Sequence, residues 1–82
     1  MSHSSKIIES CIVQLSEDYP RGQYTYVVEK SIPGTRMFPD IQVLKGDDIL
    51  CVCEIGYTRP EKIQRYRELD IKDIRWYSKK ME

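Results

Sequence analysis

The stretch FPDIQVLKGDDILCVCEIGY, from Phe38 to Tyr57, decides the fold. Two short apolar runs, Asp40 to Lys45 and Asp48 to Ile55, lie on either side of Gly46-Asp47, a glycine-containing connection of the kind that joins hairpin strands. The second run contains Ile49-Leu50-Cys51-Val52-Cys53, apolar on both faces, which is the pattern of a strand covered by helices on each side. It is expected at the centre of a sheet. With residues 46–48 as the connection, Lys45 faces Ile49, and counting outward brings Asp40 opposite Glu54. Two carboxylates so placed share one face with their β-carbons about 4.5–5.5 Å apart, where like charges repel unless something compensates. Spacing alone leaves a plainer alternative open, with Asp40 as a strand-entry residue and Glu54 reaching solvent.

Working outward, Gln23 to Ile32 is rich in Tyr, Thr and Val and reads as a strand stopped by Pro33-Gly34. Before it, Ser4 or Ser5 caps a helix whose Ile8, Ile12, Leu15 and Tyr19 recur on one face until Pro20 and Gly22 end it. After it, Thr58-Arg59-Pro60-Glu61 has the spacing of a capping box with proline in the first turn, and opens a helix that turns Ile63, Tyr66 and Leu69 inward and ends near Asp70. Ile71 to Tyr77 makes the last strand, with Ile74 and Trp76 alternating against Asp73 and Arg75. The order is αβββαβ. Its final crossover should be right-handed, between parallel strands.

Eighty-two residues suffice for one domain, since a chain of this size buries only about 60% of the surface its unfolded form exposes. Residues 1–82 are read as that single domain, with 1–5 as a flexible start. A 40% hydrophobic and 32% charged composition excludes disordered and fibrous classes. No apolar run reaches membrane-spanning length, and no signal-peptide pattern opens the chain, so no membrane partner is expected. Three cysteines, two of them at Cys51 and Cys53 inside an apolar run, read as buried thiols in a reducing, cytoplasmic setting. Net charge is zero, yet residues 1–58 carry five Lys/Arg against eight Asp/Glu, and residues 59–82 carry eight against five. Binding to nucleic acid through overall basicity is therefore excluded, while a local basic surface is not.

Two carboxylates, a backbone carbonyl such as that of Ile55 and a substrate phosphate form an all-oxygen set suited to a hard divalent ion. Phe38-Pro39-Asp40, followed by Cys53-Glu54-Ile55, resembles the PD…ExK signature of the PD-(D/E)XK, or restriction-endonuclease-like, superfamily. From Arg36 to Tyr77 the chain looks closest to competence-type (CoiA-like) nuclease domains and to Uma-type endonucleases. The resemblance rests on Arg36 to Asp40, Leu50 to Glu54, Lys62 to Tyr66 and Ile74 to Tyr77. It implies an α/β fold with a minimal αβββαβ restriction-endonuclease-like core and a mixed four-stranded sheet. It also implies hydrolysis of DNA phosphodiesters with Mg2+ or Mn2+ held by Asp40 and Glu54. Where the signature places lysine two residues after the glutamate, this chain has Gly56. Some relatives supply the lysine from the following helix, which makes Lys62 the third catalytic candidate. Glu9 is a candidate further ligand, although its place beside Ile8 favours an exposed position.

Arg36, Arg59 and Arg65 are the candidate nucleic-acid contacts, with Arg67, Arg75, Tyr57, Tyr66 and Trp76 as further possibilities for backbone contact or base stacking. The spacing of Tyr66 and Trp76 fits core residues equally well. A nuclease this small would need two copies to cut both strands of a duplex, so a homodimer is expected. Two other readings stay open: a catalytically inactive nuclease-fold module that binds protein or nucleic acid, and a small α/β interaction domain whose motif match is accidental.

Overall fold

The computed structural model of the protein describes residues 3–78. Its elements are α1 (Ser5–Leu15), β1 (Thr25–Val28), β2 (Ile41–Lys45), β3 (Asp48–Ile55), α2 (Pro60–Glu68) and β4 (Asp73–Tyr77). The strands form one mixed sheet in the order β1-β2-β3-β4. β1, β2 and β3 are successively antiparallel, and β4 returns parallel to β3 after the α2 crossover. The α/β fold with a mixed four-stranded sheet and the αβββαβ order is thus as the sequence indicates.

The double-sided apolar character of β3 has its cause in the two helices. α1 starts where the Ser4 hydroxyl accepts the Ile7 N–H at 3.2 Å. Its buried Ile7, Ile8, Cys11, Ile12 and Leu15 then pack on Ile41, Val43, Cys51, Cys53 and Ile55. The opposite face of the sheet carries Val52, which packs with Tyr66 from α2 and with Ile32, Met37 and Ile71. All three cysteines are free and buried in the α1 layer. Burial pushes the Cys51 thiol up to about 12 and raises Cys11 and Cys53 as well, which keeps them protonated and chemically quiet.

Several local features differ from the sequence reading. β1 covers only Thr25–Val28, because the chain turns at Glu29 with φ +54°. Ile32 leaves the strand and joins the α2-side core, its N–H donating to the Met37 carbonyl at 2.9 Å. The hairpin connection is Gly46-Asp47 alone, with Lys45 paired to Asp48 and Gly46 at φ +62°, as a glycine-first two-residue turn requires. Leu44 then pairs with Ile49 but Val43 with Cys51, so Leu50 is an extra residue in a bulge. Ile41 pairs with Cys53, and one further step places Asp40 across from Glu54. The bulge therefore restores the pairing that a longer connection would have produced.

At α2 the N-cap is Arg59 rather than Thr58, with no side-chain cap, and the Thr58 hydroxyl is buried without a hydrogen-bond partner among the described residues. Pro60 in the first turn sets the helix start. The helix ends in a Schellman arrangement, with Asp70 N–H donating to the Arg67 carbonyl at 2.9 Å and Ile71 N–H to the Tyr66 carbonyl at 3.1 Å. Asp70 occupies the left-handed position at φ +67°. Leu69, expected to face inward, is 43% exposed, because this turn carries it past the sheet.

Candidate active site

Because Cys53 and Ile55 face α1, the residue between them must face α2, and Glu54 does so at 5% exposure. A carboxylate that is taken out of water needs partners. Both come from α2. Tyr66 donates its hydroxyl to Glu54 Oε2 at 2.5 Å, and Lys62 Nζ lies 3.2 Å from Glu54 Oε1. Residues four apart share a helix face, so one stretch of α2 supplies both groups. Lys62 also donates to the Phe38 carbonyl at 3.4 Å, bridging β3 to the segment that enters β2. Burial and then the bond to Glu54 raise the Tyr66 pKa, so the phenol remains a proton donor throughout the ordinary pH range.

Asp40 stands beside this pair in the sheet, but its carboxylate has other partners. Oδ2 accepts the Ile55 N–H at 2.7 Å, and Oδ1 lies 3.2 Å from His3 Nε2. His3, in the segment read as a flexible start, also donates its backbone N–H to Glu29 at 3.1 Å. Residues 1 and 2 lie outside the described residues.

Above Glu54 and Lys62 opens a groove of about 530 Å³. Arg36, Arg59 and Arg65 line it together with Lys62, against Glu54 and Glu61, so cations outnumber carboxylates. Its walls also include Phe38 and Tyr57, which are 60% and 85% exposed. Asp40 does not line the groove. Arg67 and Trp76 also lie outside it, although Trp76 pairs with Glu54 in the sheet register and is 49% exposed. Arg75 turns to the α1 side, where it binds Asp73 through two nitrogens at 3.0 and 2.9 Å and reaches Asp18 at 2.9 Å. Glu9 forms an exposed pair with Arg21 at 2.8 Å and takes no part in the site.

Among the described residues no group of three His, Cys, Asp or Glu side chains converges on one point. The donor set of Asp40, Glu54 and the Ile55 carbonyl is nevertheless all oxygen, and Mg2+ commonly takes one or two protein carboxylates, with waters and substrate phosphate completing its shell. The residues present fit such an ion by chemistry. Gly56 has φ +89°, a backbone conformation that disfavours side chains, and its N–H is bound to the Tyr77 carbonyl at 2.8 Å. A lysine at that position would be strained, whereas Lys62 delivers its ammonium to Glu54 from the helix.

Two of these partners are not assigned by the sequence. Tyr66 has the spacing of a core residue or a nucleic-acid contact, and its four-residue spacing from Lys62 is the signal for the shared role. His3 lies in the terminal segment, and nothing in its neighbours points to Asp40. No protein-family model, curated protein or solved structure matches the chain.

Proposed function

We propose that this protein is a metal-dependent nuclease that hydrolyses DNA phosphodiester bonds. The observation that carries this reading is the approach of Lys62 Nζ to within 3.2 Å of Glu54 Oε1 on the floor of a groove lined by Arg36, Arg59 and Arg65. In this reading Asp40, Glu54 and the Ile55 carbonyl hold Mg2+ or Mn2+. When bound, such an ion supplies Lewis-acid stabilisation of the phosphate and a more acidic water. The three arginines take phosphate oxygens and set the strand's position, a role in which the planar guanidinium suits phosphate geometry. Lys62 donates to the scissile phosphate or orients the attacking water. Tyr66 fixes the second oxygen of Glu54 and so holds the carboxylate on the floor of the groove. The three free, buried thiols support a cytoplasmic setting, and a homodimer is needed only where both strands of a duplex are cut.

One observation favours a second reading, in which the fold is a binding module without catalysis. Every oxygen of the two carboxylates already has a protein partner: Lys62, Tyr66, the Ile55 N–H and His3. Calorimetric titration of Mn2+ and Mg2+ into the wild type and Asp40→Asn/Glu54→Gln, with plasmid cleavage on the same samples, separates the two. Binding and cleavage that vanish together in the variant support the nuclease. Wild-type protein that neither binds the ion nor cuts supports the module.

A further inference from the structure

Among the exposed large apolar side chains of the described residues, which include Val13, Leu69 and Trp76, Phe38 and Tyr57 are the two that line the groove, and the chain around each is held. Met37 and Pro39, on either side of Phe38, are buried, and the Phe38 carbonyl accepts from Lys62. Tyr57 follows Gly56, whose N–H is tied to the Tyr77 carbonyl. Both residues lie just outside the paired ends of β2 and β3, and both line the arginine groove together with Glu54. A ring held in water beside a cationic track offers a flat face at little further entropic cost, and every nucleobase has a face to set against it. In a duplex those faces are already stacked on one another, so only groove edges and phosphates are presented to a protein.

We infer that the groove takes single-stranded DNA, with unpaired bases stacked on Phe38 and Tyr57 while Arg36, Arg59 and Arg65 hold the phosphates. The inference rests on the proposed reading of this groove as a phosphodiester site and names the form of its substrate. The arginines alone would serve single strand and duplex alike. The two aromatic faces discriminate between them, because only the single strand can use them.

The test is fluorescence anisotropy in EDTA, where no cleavage intrudes, with a labelled twelve-nucleotide single strand and the duplex of the same sequence. The single strand should bind at least about tenfold more tightly than the duplex. Phe38→Ala and Tyr57→Ala should each weaken single-strand binding about tenfold and leave duplex binding unchanged, since stacking is lost and the phosphate contacts remain. Both residues are exposed, and unchanged melting of each variant verifies the fold. Equal or tighter duplex binding, no binding to the single strand at low salt, or variants that bind as the wild type does would each overturn the inference. So would self-association in sedimentation that either variant abolishes, which would assign the rings to a second copy. Cleavage is scored separately with Mn2+. Single-strand binding without cutting removes the nuclease and keeps the strand site, whereas duplex cutting without single-strand preference does the reverse.

Discussion

Tyr66→Phe deletes a single oxygen from a fully buried side chain, and that oxygen is one of two partners of the buried Glu54 carboxylate. The ring still fills its space, so the loss is that of a hydrogen bond to a charged group, worth about 1.5–3 kcal/mol, rather than of packing. Urea unfolding followed by circular dichroism should show a loss of about 2 kcal/mol. With each kcal/mol worth roughly 4–8 °C in a domain of this size, the midpoint falls by roughly 8–16 °C. Glu54→Leu alone leaves the Tyr66 hydroxyl buried without its acceptor, whereas the double variant removes both polar partners. The cycle should therefore show coupling of about 1–2 kcal/mol, the double variant being more stable than the two single losses predict. The direction of the Tyr66 pKa adds a second readout. A phenol that keeps its proton longer in the folded state stabilises the fold below its unfolded value of 10.0, and that stabilisation drains away as pH rises beyond it. The wild type should lose stability above pH 10.0, and Tyr66→Phe should lose it less steeply. A Tyr66→Phe protein within about 0.5 kcal/mol of wild type would refute the argument that this hydroxyl sustains the buried acid.

Gly56→Lys restores the sequence signature on the strand but forces a side chain to φ +89°, so it should cost about 1–2 kcal/mol in urea unfolding and give no gain in plasmid cleavage. Asp70→Gly relieves the left-handed position that closes α2 and should raise the melting midpoint by about 2–4 °C, the relief of strain outweighing the added freedom of the unfolded glycine. Asp73 is held below its ordinary value of 3.8, chiefly by its bonds to Arg75, with Tyr19 adding a hydrogen bond at 2.6 Å. Its contribution is present above pH 3.8 and lost as pH falls through the lower folded value, so Asp73→Asn should be less stable at neutral pH and flatter in acid unfolding.

The arrangement of elements was legible because it rests on local pattern: a one-sided helix, a hairpin glycine, a doubly apolar strand and a proline in a helix's first turn. The bulge at Leu50 was not, since a two-residue turn followed by an extra residue leaves the same pairing at Asp40 as a longer loop would. The early end of β1 follows from the turn at Glu29, and the inward course of Ile32 from its packing with Met37 and Val52, neither of which strand propensity encodes. The same division holds for the site. The meeting of Lys62 with Glu54 follows from its place beside Ile63 and Tyr66 on α2, and was readable as reach. The commitment of Asp40 to His3 and to the Ile55 N–H is a matter of distant chain segments, and no spacing announces it. The assembly of Arg36 with Arg59 and Arg65 in one groove likewise depends on how the segment before β2 folds over the start of α2.

The Leu50 bulge also has a meaning for how this chain tolerates change in length. Ile49 packs toward the α2-side core and Cys51 toward α1, so neighbours of the extra residue keep the alternation that a regular strand would have without it. Deleting Leu50 would leave an unbroken hairpin with the same partners from Val43 to Ile41 and the same outlook for Glu54. Near the turn, then, the strand carries slack of one residue. The loss of that one residue is absorbed before it travels along the sheet, and the end that carries the carboxylates is insulated from it.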